Sequence, residues 1–385
     1  MALQASRQDT LKTFAVVEGA LGGQGLAVPY DATLNPPLWE LGHIGWFQAY
    51  WIGRNPQLPR GLAADPHAAR SAGLRDEADA LYNSSRVPHA SRWHLPLPDA
   101  ARTRDELQAV LDQTLALLAD TASDDQALYF YRLALLHEDM HHEAALYMAQ
   151  ALGLAINDAS WQTTALAPPA EPIALPAARV LLGQGSAGFA FDNELTAHAV
   201  STAAFEIDAQ VLRWADYLPF VQAGGYDRHS WWSPAGWAWR AGHTDPLPRY
   251  LRQHGTGWQH WRHGQWQALD TSLAACHLSQ HEALAWCAWA GRRLPTETEW
   301  EHAALAVPER FDWGAVWEWT ASPFEPYPGF AAHPYQDYSA PWFGTRSVLR
   351  GASFATQPRM RNPRYRNFFT ADRNDIFAGF RSCAR

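Results

Sequence analysis

The spacing of apolar residues divides the chain into a helical first part and a second part made of short strands. Four stretches place apolar side chains three or four positions apart, which is the repeat of a helix with one buried face: residues 5–21, 36–53, 101–120 and 124–152. The last stretch is followed by Gly153, a residue that favours the end of a helix. Four long helices predict an antiparallel bundle.

A second domain is predicted after a change in composition. Residues 154–178 are rich in Ala and Pro, as in a linker. From Arg179 onward, short strand-like segments alternate with Gly, Pro and Trp, and helical patterns occur near 210–223 and 279–291. We therefore predict a helical bundle at 1–153, a linker at 154–178 and an α+β domain at 179–385.

Composition excludes several classes of function. The 385 residues include 30 Lys and Arg against 39 Asp and Glu, a formal net charge of −9, and the basic residues form no run. This balance disfavours a nucleic-acid partner. Three cysteines cannot form a disulfide framework in so long a chain, and no apolar stretch has the roughly 18 residues of a membrane span. We expect a cytoplasmic protein that acts on small molecules.

Two histidines in the fourth predicted helix have the spacing of metal ligands. His137 and His141 are four residues apart, so both imidazoles project from one helical face. A third candidate, His43, lies in the apolar second helix of the predicted bundle. The alternative to a metal site is that His137 and His141 lie on a polar face of their helix and that His43 is an ordinary core histidine. Three neutral imidazoles leave coordination positions open and suit Fe, Zn, Cu or Ni alike, so the residues predict a metal site without specifying the metal.

The second domain contains four short segments that are recognisable as sequence motifs. They are GRRLPTETEWE at 291–301, VWEWT at 316–320, LRGASF at 349–354 and FAGFR at 377–381. These segments resemble the formylglycine-generating-enzyme superfamily, which implies the modified C-type-lectin fold. The enzymes that generate formylglycine use two copper-binding cysteines just after the third segment. This chain has no cysteine between Cys287 and Cys383, so we do not expect that activity.

The combination of the two domains is more specific than either alone. GHIGW at 42–46 and HEDMH at 137–141, joined to such a second domain, resemble the non-haem iron sulfoxide synthases of ergothioneine biosynthesis and the related selenoneine synthases. The resemblance implies a DinB-like four-helix bundle with Fe(II) bound by His43, His137 and His141, and O2 as co-substrate. It implies that sulfur or selenium is joined to the imidazole carbon of hercynine, Nα-trimethylhistidine.

The resemblance also implies which residues meet the substrates. Tyr327, Phe368 and Phe369 are expected to hold the quaternary ammonium of hercynine against their rings, and Asn367 is expected to contact a carboxylate or amide. Phe324 stands where some relatives have an active-site tyrosine, so Tyr82 is predicted as the catalytic tyrosine. Arg86, together with Arg92, is a candidate for binding carboxylates of a thiol donor.

Four functions stay open at this point. The segments NPPLWELGHIGWFQ and YRNFF favour a selenoneine synthase that uses a selenosugar. The first alternative is an ergothioneine-type sulfoxide synthase that uses cysteine or gamma-glutamylcysteine. The second is a zinc-dependent DinB-like thiol transferase or hydrolase with Glu138 as its base, as in the HExxH pattern of zinc proteases. The third is a binding module that holds a cationic ligand and a structural metal.

Overall fold

The computed structural model describes residues 1–185 and 187–385, which form two compact units. The first, the bundle unit, comprises Met1–Ile156 with two short additions from later in the chain, Ala187–Phe189 and Ala332–Tyr338. The rest of the described chain forms the second unit. The predicted boundary at 153 therefore lies close to the observed one, but the additions break the simple order of two consecutive domains.

The bundle unit is built from long helices joined by short helical turns. Its helices are α1 (Ala2–Leu21), α2 (Pro37–Gln48), α3 (Ala78–Tyr82), α4 (Ala100–Ala119) and α5 (Tyr129–Ala151). Proline at the first position of α2 costs no hydrogen bond, because that N–H has no helical partner. The side chain of Asp99 caps α4 by accepting from the backbone N–H of Arg102.

Packing in the bundle unit brings α2 and α5 together. Helix α1 packs on α5, and α2 packs on α4 and α5. A buried ion pair fixes α1 to α5, since Nε of Arg7 lies 2.8 Å from Oε1 of Glu138. The same guanidinium donates to the backbone oxygen of Leu107 in α4. It also donates to Gln48, the last residue of α2, at 2.6 Å. One buried arginine therefore links four helices, and these partners offset part of the cost of its burial.

The second unit is a mixed α+β structure. Its helices are α6 (Trp214–Gln222), α7 (Pro234–Ala241), α8 (Gln280–Ala290) and α9 (Glu297–Ala306). Its strands are β1 (Ile173–Leu175), β2 (Ala178–Leu182), β3 (His198–Thr202), β4 (Phe205–Ile207), β5 (Leu251–His254), β6 (Gly257–Arg262), β7 (Gln265–Ala268), β8 (Trp317–Pro323), β9 (Ser347–Gly351), β10 (Asn367–Phe369) and β11 (Ala378–Gly379). The largest sheet has the order β10-β9-β8-β11.

The segments singled out in the sequence form the core of this unit. Helix α9 is the ETEWE part of the first segment, and Thr296 and Glu299 cap it reciprocally. Trp300 in α9 is fully buried and donates to Glu318 on β8 at 2.7 Å. Arg381, from the last segment, forms an ion pair with the same carboxylate. These residues therefore have a structural role in the core of the second unit.

The predicted linker is partly structured. Strand β1 lies inside residues 154–178 and pairs antiparallel with β4, with Ile173 opposite Ile207. Ile173 is completely buried in the core of the second unit. This strand was not predicted from the Ala- and Pro-rich sequence, because three residues are too few to show an alternating pattern. No described helix is long and apolar enough to cross a membrane.

Candidate metal centre

Three histidine rings meet between α2 and α5 of the bundle unit. One ring nitrogen from each of His43, His137 and His141 lies within 4.8 Å of the others. The ring centroids are 5.2 Å apart for His43 and His137, 4.8 Å for His43 and His141, and 4.4 Å for His137 and His141. The i, i+4 pair on α5 and the single histidine on α2 thus converge on one point, as three ligands of a metal do.

Hydrogen bonds orient two of the rings. Nδ1 of His43 lies 2.8 Å from the backbone oxygen of Tyr82, and Nδ1 of His141 lies 2.5 Å from Oε2 of Glu40. Both acceptors fix the hydrogen on Nδ1 and leave Nε2 to coordinate a metal. The third ring, His137, lies flat on Phe47, with centroids 3.5 Å apart and planes within 3°.

Burial keeps the imidazoles of His43 and His137 neutral. It lowers the pKa of His43 to about 3, helped by the proximity of His141. Burial also lowers the pKa of His137 well below its ordinary value, again helped by the two neighbouring histidines. Only the neutral ring has a lone pair for a metal. The site therefore needs no deprotonation of these two ligands at neutral pH.

Glu40 is the carboxylate of the site. Its burial alone would raise its pKa, but the charge of His141 and the hydrogen bond from it outweigh this effect and lower the pKa. Asn35 donates to the other oxygen of Glu40 at 2.5 Å, and Arg92 donates to Asn35 at 2.8 Å. A carboxylate that accepts from a ligand histidine is a usual partner of metal-bound imidazole. Three imidazole nitrogens with such support fit a divalent transition metal with open positions.

The structure places Glu138 elsewhere than a hydrolytic base would be. Its carboxylate is buried against Arg7, at 2.8 and 3.1 Å from two guanidinium nitrogens. A carboxylate held in a buried bidentate ion pair is a poor proton acceptor, because protonation would leave Arg7 unpaired. The HExxH pattern here therefore provides two candidate ligands and a structural ion pair.

A tyrosine from late in the chain lies beside the histidines. Tyr335 belongs to the added segment Ala332–Tyr338, and its ring centroid lies 6.3 Å from that of His137 and 5.0 Å from that of Phe47. Its hydroxyl has no hydrogen-bond partner among the residues that the structure describes. Burial, reinforced by the charge of Asp337, raises the pKa of Tyr335, so the phenol stays protonated.

The segment that carries Tyr335 is held at several points of the bundle unit. Oδ2 of Asp337 accepts from the hydroxyl of Ser85 at 2.6 Å. The hydroxyl of Tyr338 lies 3.7 Å from the sulfur of Met140, the residue that precedes His141. The segment is therefore anchored next to the metal ligands. The sequence reasoning missed Tyr335, since its contacts lie about 200 residues away and no local spacing reports them.

Comparison with known proteins agrees with this arrangement. The profile of the sulfatase-modifying factor enzyme 1-like domain family matches residues 161–315 and 311–385. The hercynine oxygenase of Mycolicibacterium thermoresistibile is 32% identical over 91% of this chain and 88% of its own length. The chain belongs to the hercynine oxygenase family. Similar enzymes of Mycolicibacterium smegmatis and Mycobacterium tuberculosis are each 31% identical, over 98% and 92% of this chain.

Tyr82 is the tyrosine that was predicted to act in catalysis. Its backbone oxygen supports His43, but its ring lies against the backbone of Gly42, where an added Cβ would be 2.3 Å from the ring. No ring contact joins Tyr82 to the three histidines among the described residues. Tyr82 instead lines a separate cavity of the bundle unit.

The two arginines predicted to bind a donor differ in their surroundings. Arg86 is exposed. Arg92 is half-buried; it donates to Asn35, and its guanidinium lies 4.0 Å above the ring of Trp39. Trp39 in turn stacks on His43 at 4.8 Å. Arg92 thus supports the surroundings of the metal ligands, and the two arginines do not form a matched pair.

The predicted substrate residues of the second unit lie close to one another. Phe324 is fully buried and stacks on Phe368 at 4.0 Å. The hydroxyl of Tyr327 donates to Glu297 at 3.0 Å, and the guanidinium of Arg366 lies 4.0 Å from its ring.

Strand β10 carries the other three candidates. Asn367, Phe368 and Phe369 are all half-buried, and the guanidinium of Arg373 lies 4.9 Å from the ring of Phe369. Cations of the protein itself therefore already lie against Tyr327 and Phe369.

Proposed function

We propose that this protein is an Fe(II)- and O2-dependent enzyme that joins selenium from a selenosugar to the imidazole carbon of hercynine. The observation that supports it most is the three-histidine site in a chain similar to hercynine oxygenases over about nine-tenths of its length. Iron would supply the activation of dioxygen. The residues His43, His137 and His141 would hold it and leave positions for substrates.

The contacts of Arg92 support a selenosugar as the selenium donor. A donor with two carboxylates, such as gamma-glutamylcysteine, is best bound by paired arginines. Arg92 is already bonded to Asn35 and stacked on Trp39, which leaves exposed Arg86 as a single cation. A selenosugar is neutral apart from its selenolate and needs no such pair. The alternative, an ergothioneine-type sulfoxide synthase, fits the relatives equally well.

Tyr335 is the hydroxyl that we propose as the acid of the site. Replacing a C–H and a Se–H bond with a C–Se bond releases two protons and two electrons, which O2 takes up. The step balances when selenium supplies the second pair of electrons, so that one oxygen atom stays on selenium as a selenoxide and the other leaves as water. The phenol of Tyr335 lies beside His137 and keeps its proton at neutral pH. Its raised pKa makes it a weak acid, so it would give up that proton only to a strongly basic group formed during the reaction. In the second unit, the aromatic residues predicted from the sequence, together with Asn367, stay our candidates for contact with hercynine.

A competition assay tests the proposal. Fe(II)-loaded protein is given hercynine, air and equal amounts of selenosugar, cysteine and gamma-glutamylcysteine, and the products are identified by mass spectrometry. We expect a hercynine adduct with the isotope pattern of selenium. A sulfoxide adduct would assign the protein to the thiol-using alternative. The absence of any adduct, with iron confirmed in the protein, would refute hercynine oxidation and favour a thiol transferase or binding module.

Substitution of Tyr335 tests its role separately. We expect Tyr335→Phe to lower turnover by about 100-fold, because a positioned acid commonly contributes that much. Iron affinity should stay the same, since Tyr335 is not a ligand. Tyr131→Phe is the control, because it removes a hydroxyl from α5 that is bonded to Thr121. Full turnover in Tyr335→Phe would exclude this tyrosine as the acid.

A further inference from the structure

A second cavity lies in the bundle unit on a different face of α2 from His43. It measures about 450 Å³, counting the space in its open mouth. Gly42 and Gly45 of α2, and Ala49 directly after this helix, line one side of it. Tyr82 and Arg75 line it as well, whereas none of the three ligand histidines does. This cavity is therefore separate from the metal centre.

Two hydrogen-bond donors at this cavity have no partner. The hydroxyl of Tyr82 is buried and unbonded, in a residue that is 3% exposed. Nε of Arg75 is likewise buried and unbonded, although the other guanidinium nitrogens bond to Glu77 and Glu106. Leaving a buried donor unsatisfied costs about 1–3 kcal/mol, so such groups usually have a ligand or an ordered water. Two unsatisfied donors at one cavity call for an acceptor.

The charges around the cavity indicate a neutral ligand. Arg54 forms two hydrogen bonds with Asp79, and Arg75 pairs with Glu77 and Glu106. No arginine charge there is left for an anion. A cation would meet the two unbonded donors. Burial, followed by the charge of Glu106, raises the pKa of Tyr82 to about 12, so its hydroxyl keeps the proton that it donates.

We propose that this cavity binds a small neutral molecule whose oxygen accepts hydrogen bonds from Tyr82 and Arg75. The rest of the ligand would be apolar, to match Leu107 and Val110 in the same wall. The site is connected to the metal centre through one residue, because the backbone oxygen of Tyr82 accepts from Nδ1 of His43 at 2.8 Å. A ligand that moves Tyr82 therefore alters the orientation of His43.

A pair of probes of equal shape tests this site in the full-length protein. Cyclopentanone has the acceptor oxygen, and methylenecyclopentane has the same ring without it. We expect crystals soaked with cyclopentanone to show its oxygen between Tyr82 and Arg75. In solution, Tyr82→Phe should weaken its binding about tenfold, as expected for one lost hydrogen bond. Tyr30→Phe, at an exposed tyrosine that does not line the cavity, should bind it unchanged.

A spectroscopic measurement tests the link to His43. Cyclopentanone should shift the visible absorption of the Co(II)-loaded protein, and Tyr82→Phe should remove the shift. The proposal is overturned if the cavity holds only water, if methylenecyclopentane binds equally well, or if Tyr82→Phe binds the ketone as tightly. Binding without any spectral shift would overturn the link to His43. None of these readouts requires turnover of hercynine, so they stand apart from the proposed function.

Discussion

Glu40 is the residue on which the orientation of His141 depends most. It lies one turn before His43 on α2 and accepts from Nδ1 of His141. Glu40→Gln removes its charge and places an amide donor opposite Asn35, which already donates. We expect iron affinity to fall about 10- to 100-fold, the usual effect of losing such support. Competition with a chelator measures this, with Glu18→Gln on the surface of α1 as the control. Equal affinities in both variants would contradict the role of Glu40.

Burial of His43 also makes the stability of the metal-free protein depend on pH. In the unfolded chain this histidine becomes protonated below about pH 6.5. In the folded protein it stays neutral until the pH falls to its pKa of about 3. The unfolded state therefore binds more protons in this window, and the free energy of unfolding falls as pH falls. The slope is about 1.4 kcal/mol per pH unit for each such histidine.

Urea unfolding of the metal-free protein between pH 7 and pH 4 measures this slope. We expect His43→Asn to reduce it by about 1.4 kcal/mol per pH unit, because one proton no longer distinguishes the two states. The asparagine can still donate to Tyr82, so the variant keeps the local hydrogen bond. Parallel curves for the two proteins would show that His43 does not resist protonation.

At the scale of elements, glycines in α2 set how closely its neighbours approach. A Cβ on Gly42 would lie 2.3 Å from the ring of Tyr82, whereas a Cβ on Gly19 in α1 would meet nothing within 4 Å. We expect Gly42→Ala to lower the free energy of unfolding by about 1–3 kcal/mol through overpacking. Gly19→Ala should raise it by about 0.5–1 kcal/mol, because alanine favours the helix. Urea unfolding compares the two, and equal effects would exclude close packing at Gly42.

The helices could be predicted from the sequence because their signal is local. The apolar repeat at 101–120 corresponds to α4 within one residue at each end. For α5 the predicted start at 124 was early, since the regular helix begins at Tyr129. Helix α9 was not predicted, although it begins with the ETEWE residues of the first segment. Its buried positions are set by packing in the second unit and do not form a clear helical repeat. The three histidines were predicted together because helical spacing and neighbouring bundle helices place them on facing surfaces.

The surroundings of the histidines could not be predicted in the same way. The ring of Tyr335 reaches His137 across 198 positions of sequence, and the ion pair of Arg7 with Glu138 spans 131. Such contacts depend on the path of the whole chain. The contacts of Arg92 could not be predicted either. Its guanidinium is suited to bind a carboxylate, but in the fold it contacts Asn35 and Trp39.

At the scale of the whole molecule, the bundle unit is completed by sequence from the second half of the chain. The chain belongs to the second unit up to Ala331 and again from Ser339, and the segment between them belongs to the bundle unit. All three candidate metal ligands lie before residue 157, but Tyr335 does not. Metal binding and turnover are therefore expected to depend on different parts of the sequence.

Replacing this segment separates the two properties. In the full chain, residues 332–337 are exchanged for six alternating Gly and Ser residues, which removes Tyr335 and the anchor of Asp337 on Ser85. We expect iron binding within about threefold of wild type, because the hydrogen bonds of His43 and His141 come from Tyr82 and Glu40. Product formation from hercynine should be lost. The same exchange at the exposed residues 241–246 is the control for insertion of a flexible run and should leave both properties intact. If iron binding were lost as well, the segment would be a structural part of the metal site; if turnover survived, the acid must lie outside it.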